Sequence, residues 1–170
     1  MKFKIECDDI DGIVLMDEST LDELNAELMY SMEILLDYEG NSELIYDFPE
    51  ERWNDVRTRE KKLIEKFCNS GKMIIWLTNS TEKECTFEEN ANIVNTTKYL
   101  HVTSGKIIIV TASELIECVS YPEIEMEKLL EIKLDTGWYA ISNNIDKITY
   151  CKRDKEVVDI INIQEKNVFS

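Results

Sequence analysis

The residues with the most chemical potential in this 170-residue chain lie near its start, in Asp9-Ile10-Asp11-Gly12 ahead of the apolar run Ile13-Val14-Leu15. Laid on a calcium-binding loop, Asp9, Asp11, Gly12 and Glu18 fall at the third, fifth, sixth and twelfth positions. The first position is then Cys7, where calcium wants oxygen. His101, the only imidazole, alternates with Tyr99 and Thr103 in an expected strand, a placement that suits a structural histidine better than a catalytic base. Cysteines at 7, 68, 85, 118 and 151 form no CxxC pair and do not cluster around His101, so no zinc cage is expected. Five isolated thiols fit a reducing cytoplasm. No GxSxG occurs, and the glycines at 12, 40, 71, 105 and 137 are too far apart to cradle a phosphate. No metal and no cofactor is expected.

The Asp9-Ile10-Asp11-Gly12 string resembles the opening motif of haloacid dehalogenase-type phosphatases. Ile74-Ile75-Trp76-Leu77-Thr78-Asn79 resembles the phosphate-binding strand of that family, because it also follows a helix and a glycine. The resemblance implies an enzyme reading with Asp9 as nucleophile, Asp11 as its partner carboxylate and Thr78 on the phosphate. The pattern departs at Ile13, where that family usually has Thr, and no acidic pair follows Ile107–Val110. Phosphoryl transfer needs metal-binding carboxylates and charge neutralisation, so the catalytic apparatus is incomplete. The sequence favours a non-enzyme.

The elements that would position these residues follow from periodicity. Phe3, Ile5 and Cys7 alternate, and a Gly12 turn into Ile13–Met16 predicts a second strand. A helix is expected next, capped by Ser19 or Thr20 with Glu23 completing a box, and striped by Leu21, Leu24, Leu28, Met32 and Leu35. After Leu44-Ile45-Tyr46 a second helix is expected from Pro49, with Trp53, Val56, Leu63, Ile64 and Phe67 at helical spacing and Asn69-Ser70-Gly71 as its stop. From 72 onward the pattern is strands: 73–78, 85–88, 98–103, 106–111, 129–134, 138–142, 145–151 and 157–163. Ser104-Gly105 reads as a two-residue hairpin turn. The expected fold is a single α+β domain over 1–170, two N-terminal helices packed on a mainly antiparallel sheet or partly open sandwich. Its helix-containing part is 1–70 and its β-rich part 72–165.

The net charge of −16 is uneven: residues 1–60 carry 18 acids against 5 bases, a net of −13. Such a field repels phosphate backbones and attracts basic protein surfaces. No apolar run approaches the ~20 residues that cross a bilayer. The expected partner is therefore a basic protein, with no nucleic acid and no membrane, and with the oligomeric state open. Glu23, Glu27 and Glu33 would steer the approach, and Trp138 and Tyr139 would add aromatic contact. A weaker likeness supports this. Val102-Thr103-Ser104-Gly105-Lys106-Ile107, Asp135-Thr136-Gly137-Trp138-Tyr139 and Gly71-Lys72-Met73-Ile74-Ile75-Trp76 resemble a class of small bacterial β-rich domains, several similar to immunity proteins of toxin systems. The resemblance spans roughly residues 60–145 and implies binding, not catalysis. A purely structural or oligomeric module is the third reading.

Overall fold

A computed structural model describes residues 1–6, 11–36, 45–48, 54, 58–78, 82–93, 98–144 and 146–153. Strands β1 (Lys2–Ile5) and β2 (Asp11–Asp17) come first, and a 3-10 turn (Glu18–Glu23) leads into helix α1 (Ala26–Leu36). Next come β3 (Ile45–Tyr46), helix α2 (Thr58–Asn69), β4 (Met73–Thr78), β5 (Lys83–Glu89), β6 (Lys98–Val102) and β7 (Lys106–Thr111). Helix α3 (Ala112–Ser120), β8 (Leu130–Lys133), β9 (Gly137–Asn144) and β10 (Lys147–Arg153) complete the described elements.

The strands form two five-stranded sheets, ordered β1-β5-β10-β9-β6 and β3-β4-β2-β7-β8. Every pairing is antiparallel except that of β5 with β10. One apolar cluster joins the sheets face to face, through Phe3, Ile13, Leu15, Trp76, Phe87 and Ile141 among others. A second cluster seats the helices on the far side of the β2-containing sheet, setting Leu28, Met32, Ile64 and Leu115 against Val14, Ile75 and Val110. Each large side chain so buried contributes about 1.5–3 kcal/mol. The molecule is thus three layers deep, with the β2 sheet in the middle.

That middle position explains the unbroken apolar runs in β2, β4 and β7: both faces of these strands are covered, so nothing selects for alternation. The outer sheet has one wet face, and β1 alternates exposed and buried accordingly.

The expected pair of N-terminal helices on a mainly antiparallel sheet or partly open sandwich is overturned. Helix α1 begins at residue 26, after two strands, and α3 lies between β7 and β8, where no helix was expected. Ser104-Gly105 is no hairpin turn either, because β6 belongs to the outer sheet and β7 to the central one. The chain also changes sheet between β4 and β5 and between β8 and β9, while β9 and β10 form a true hairpin. The helix start differs too. Asp17 caps the 3-10 turn by accepting from Ser19 N (3.0 Å), Asn25 Oδ1 accepts from Leu28 N (2.9 Å), and the Thr20 hydroxyl donates to Lys72 O (3.0 Å). Gly12 lies inside β2, not in a turn; a Cβ there would come within 2.9 Å of Leu36 Cδ2 and 3.0 Å of Ala112 Cβ. The missing side chain lets the end of α1 and the start of α3 meet over β2. Cys7, Leu44, Trp53, Val56 and the expected 157–163 strand lie outside the described residues.

Candidate functional site

Asp11 opens β2 and Thr78 ends β4, and the two are directly opposed across the antiparallel pair. Asp9 lies outside the described residues. Asp11 Oδ1 accepts from the backbone N–H groups of Gly12 (2.7 Å) and Ser113 (3.0 Å), and Oδ2 accepts from the Ser113 hydroxyl. The carboxylate therefore caps the start of α3, where unpaired N–H groups and the helix dipole favour an anion. The structure thus brings Asp11 and Thr78 together on neighbouring antiparallel strands, but the Asp11 carboxylate is taken up by Gly12 and Ser113 at the start of α3. The calcium-loop spacing is also undone, because β2 is extended between Asp11 and Glu18 and separates them by about 23 Å. Among the described residues, no three His, Cys, Asp or Glu side chains converge on a metal position.

Thr78 is fully buried, and its hydroxyl has no hydrogen-bond partner among the described residues. An orphaned hydroxyl costs free energy relative to an apolar isostere. Thr78→Val is expected to hold stability or raise it by about 1 kcal/mol in urea unfolding. A loss larger than that would show that the hydroxyl is engaged.

The opposite end of β2 is organised around Asp17, 1% exposed. Its Oδ1 accepts from the backbone N–H groups of Thr103 (2.9 Å) and Ser104 (3.1 Å), and its Oδ2 from that of Ser19. The hydroxyls of Ser19, Thr103 and Ser104 also reach it. Burial by itself raises the Asp17 carboxyl, but the donors from Ser19, Ser104 and Thr103 outweigh it and hold the group below its ordinary value. Asp17 forms no ion pair with a described residue. It is an internal tie between the end of β2 and the crossing from β6 to β7.

Beside it, on the outer sheet, His101 stacks on Trp138 with ring centroids 4.3 Å apart and planes 1° apart. Burial lowers the His101 pKa, opposed by the charge of Asp17. Trp138 packs edge-on against Gly71, and Gly71 O accepts from His101 N (2.8 Å). Tyr139 points between the sheets, 4% exposed, with its hydroxyl donating to Asp135 O (2.7 Å). The two aromatics chosen from the sequence are thus parts of the outer sheet and its interior, with Trp138 meeting Gly71 just beyond the end of α2.

Glu23, Glu27 and Glu33 do lie on the helical layer. Glu23 is paired with Lys72 and Glu27 with Arg59, whereas Glu33 is exposed and has no ion pair with a described residue. A second acidic stretch, missed in the sequence, joins them: from Ile107 to Glu127 the chain has five Glu and no Lys or Arg. Of these, Glu117, Glu123, Glu125 and Glu127 are exposed and form no ion pair with a described residue. The signal was present in Thr111-x-x-Glu114, a cap pattern ahead of Leu115 and Cys118; Thr111 is indeed the N-cap and accepts from Glu114 N (3.3 Å).

Burial pushes the thiol of Cys68 up to about 12 and those of Cys85 and Cys118 up to about 11, so none of the three is a thiolate nucleophile at neutral pH. No described helix is long and apolar enough to cross a membrane. Compared with protein-family models, curated proteins and solved structures, the chain matches none.

Proposed function

We propose that this chain is a non-enzymatic protein-binding domain of the immunity or antitoxin kind, which meets a basic partner with the acidic surface of α1, α3 and the segment after α3. The observation that carries the reading is the set of exposed carboxylates on α1, α3 and the segment after α3 that no described cation neutralises. A surface of one sign speeds the encounter with a surface of the other and disfavours nucleic acid. The four described cysteines are all free, which suits action in the reducing cytoplasm.

The test is calorimetry and stopped-flow association with the products of the adjacent genes, at low and at high salt. Replacing Glu33, Glu117 and Glu123 together by Lys is expected to slow association at low salt by about tenfold or more. Salt-independent binding, or none to any such product, would overturn the proposal.

A further inference from the structure

Three large apolar side chains beyond the N-terminal Met1 stand exposed on the described surface, and all three lie on the helical side: Tyr30 (53%), Tyr121 (57%) and Ile124 (39%). Tyr30 belongs to α1, beside Arg59 and Glu60 of α2. Tyr121 and Ile124 belong together. Ile124 N donates to Tyr121 O (3.0 Å), so the two are the first and last residues of a β-turn with Pro122 in its second position. That turn brings their Cα atoms within about 7 Å of each other. The turn is braced from both ends: Tyr121 N donates to Glu117 O (2.8 Å), Met126 packs on the helix-side core, and Glu114 Oε1 accepts from Glu127 N (2.9 Å).

The braced turn fixes the backbone from which these two exposed side chains project, which lowers the ordering cost of a contact. Around them, Glu117, Glu123, Glu125 and Glu127 supply only negative charge. An anionic membrane would be repelled by that ring, whereas a cationic polypeptide would be attracted. We propose that the Tyr121–Ile124 turn is a preformed anchor that inserts into a partner segment combining Lys or Arg with apolar side chains. The inference rests on the acidic-surface reading and adds to it the point of contact and the partner's chemistry.

Two labelled peptides of equal length separate the possibilities by fluorescence anisotropy with the full chain, one alternating Lys with Leu, the other of Lys and Ser. The Lys-Leu peptide is expected to bind more tightly. The double variant Tyr121→Ser with Ile124→Ser is expected to weaken it about tenfold while leaving the Lys-Ser peptide unchanged. Glu114→Ala, which removes the acceptor of Glu127 N and so loosens the turn but keeps both side chains, should give a smaller loss in the same direction. Equal binding of the two peptides, unaffected by the double variant, would overturn the anchor and leave the electrostatic reading standing. Binding of neither peptide would remove the electrostatic reading as well. Uptake onto neutral phosphatidylcholine vesicles that the double variant abolishes would assign the pair to a lipid surface and overturn the proposal.

Discussion

Asp17→Ala is expected to lower the free energy of unfolding by about 3–5 kcal/mol, enough to consume a large part of the stability of a domain this size. The substitution removes one buried carboxylate but strands the three backbone N–H groups of Ser19, Thr103 and Ser104. Each orphaned donor costs about 1–3 kcal/mol. Asp17→Asn should recover part of the loss, since its carbonyl oxygen still accepts while its amide nitrogen opposes the donors on the other side. The pH dependence has a definite sign. The folded carboxyl lies below its ordinary value of 3.8, so its contribution is complete above that value and disappears as pH falls through the folded value. Urea unfolding at neutral pH and at a series of pH values below 3.8 should therefore show the gap between wild type and Asp17→Ala narrowing as pH falls, by the part that the ionised carboxylate supplies. A difference under about 1 kcal/mol at neutral pH would mean that water replaces the carboxylate at the tie.

Gly71→Ala is the second large effect, expected near 2–5 kcal/mol. Gly71 has φ +77°, a region that costs an L-residue about 1–2 kcal/mol. An added Cβ would also stand 2.4 Å from Cζ3 of Trp138, whose indole is stacked on His101. Overpacking of this kind adds about 1–3 kcal/mol. The two parts separate in a double-mutant cycle. In a Trp138→Leu background the steric part is relieved, and Gly71→Ala should then cost only about 1–2 kcal/mol. Equal costs in both backgrounds would show that the ring moves aside freely.

How much of this was legible depended on which interaction each residue answers to. The strands of the central sheet announced themselves, since Ile13–Met16, Met73–Leu77 and Ile107–Val110 are apolar on both faces. What the local pattern could not carry was partner choice. Ser104-Gly105 has the chemistry of a hairpin turn, yet the strands on either side join different sheets, because the turn is shaped by the Asp17 carboxylate some 86 residues away. Gly12 was read as a turn for the same reason: its purpose is the approach of Leu36 and Ala112, which no short window contains. Tyr139 and Trp138, adjacent in sequence, point to opposite faces of one strand, so they could never form one contact surface. Helix α3 was locally visible but was masked by the surrounding run of strands. The acidic surface was half legible: the N-terminal acids were counted correctly, while Glu117, Glu123, Glu125 and Glu127 were averaged away by the lysines of the same half.

The order of the outer sheet bears on how the molecule comes into being. Its middle strand is β10, near residue 150, flanked by β5 and β9, while β1 joins at one edge by pairing with β5. During synthesis the central strands β2, β4 and β7 can pair and take on their helices while β9 and β10 are still inside the ribosome. Until then β5 lacks one of its two neighbours and β6 has none, so the outer sheet that covers Ile13, Leu15 and Trp76 is not joined up. Closure waits on contacts of very long sequence separation, which places folding on the order of milliseconds to seconds and makes the uncovered central sheet the species most exposed to misassociation. The exposed carboxylates of α1 and α3 precede that hairpin in the chain, so like-charge repulsion acts between half-built molecules as well as between finished ones.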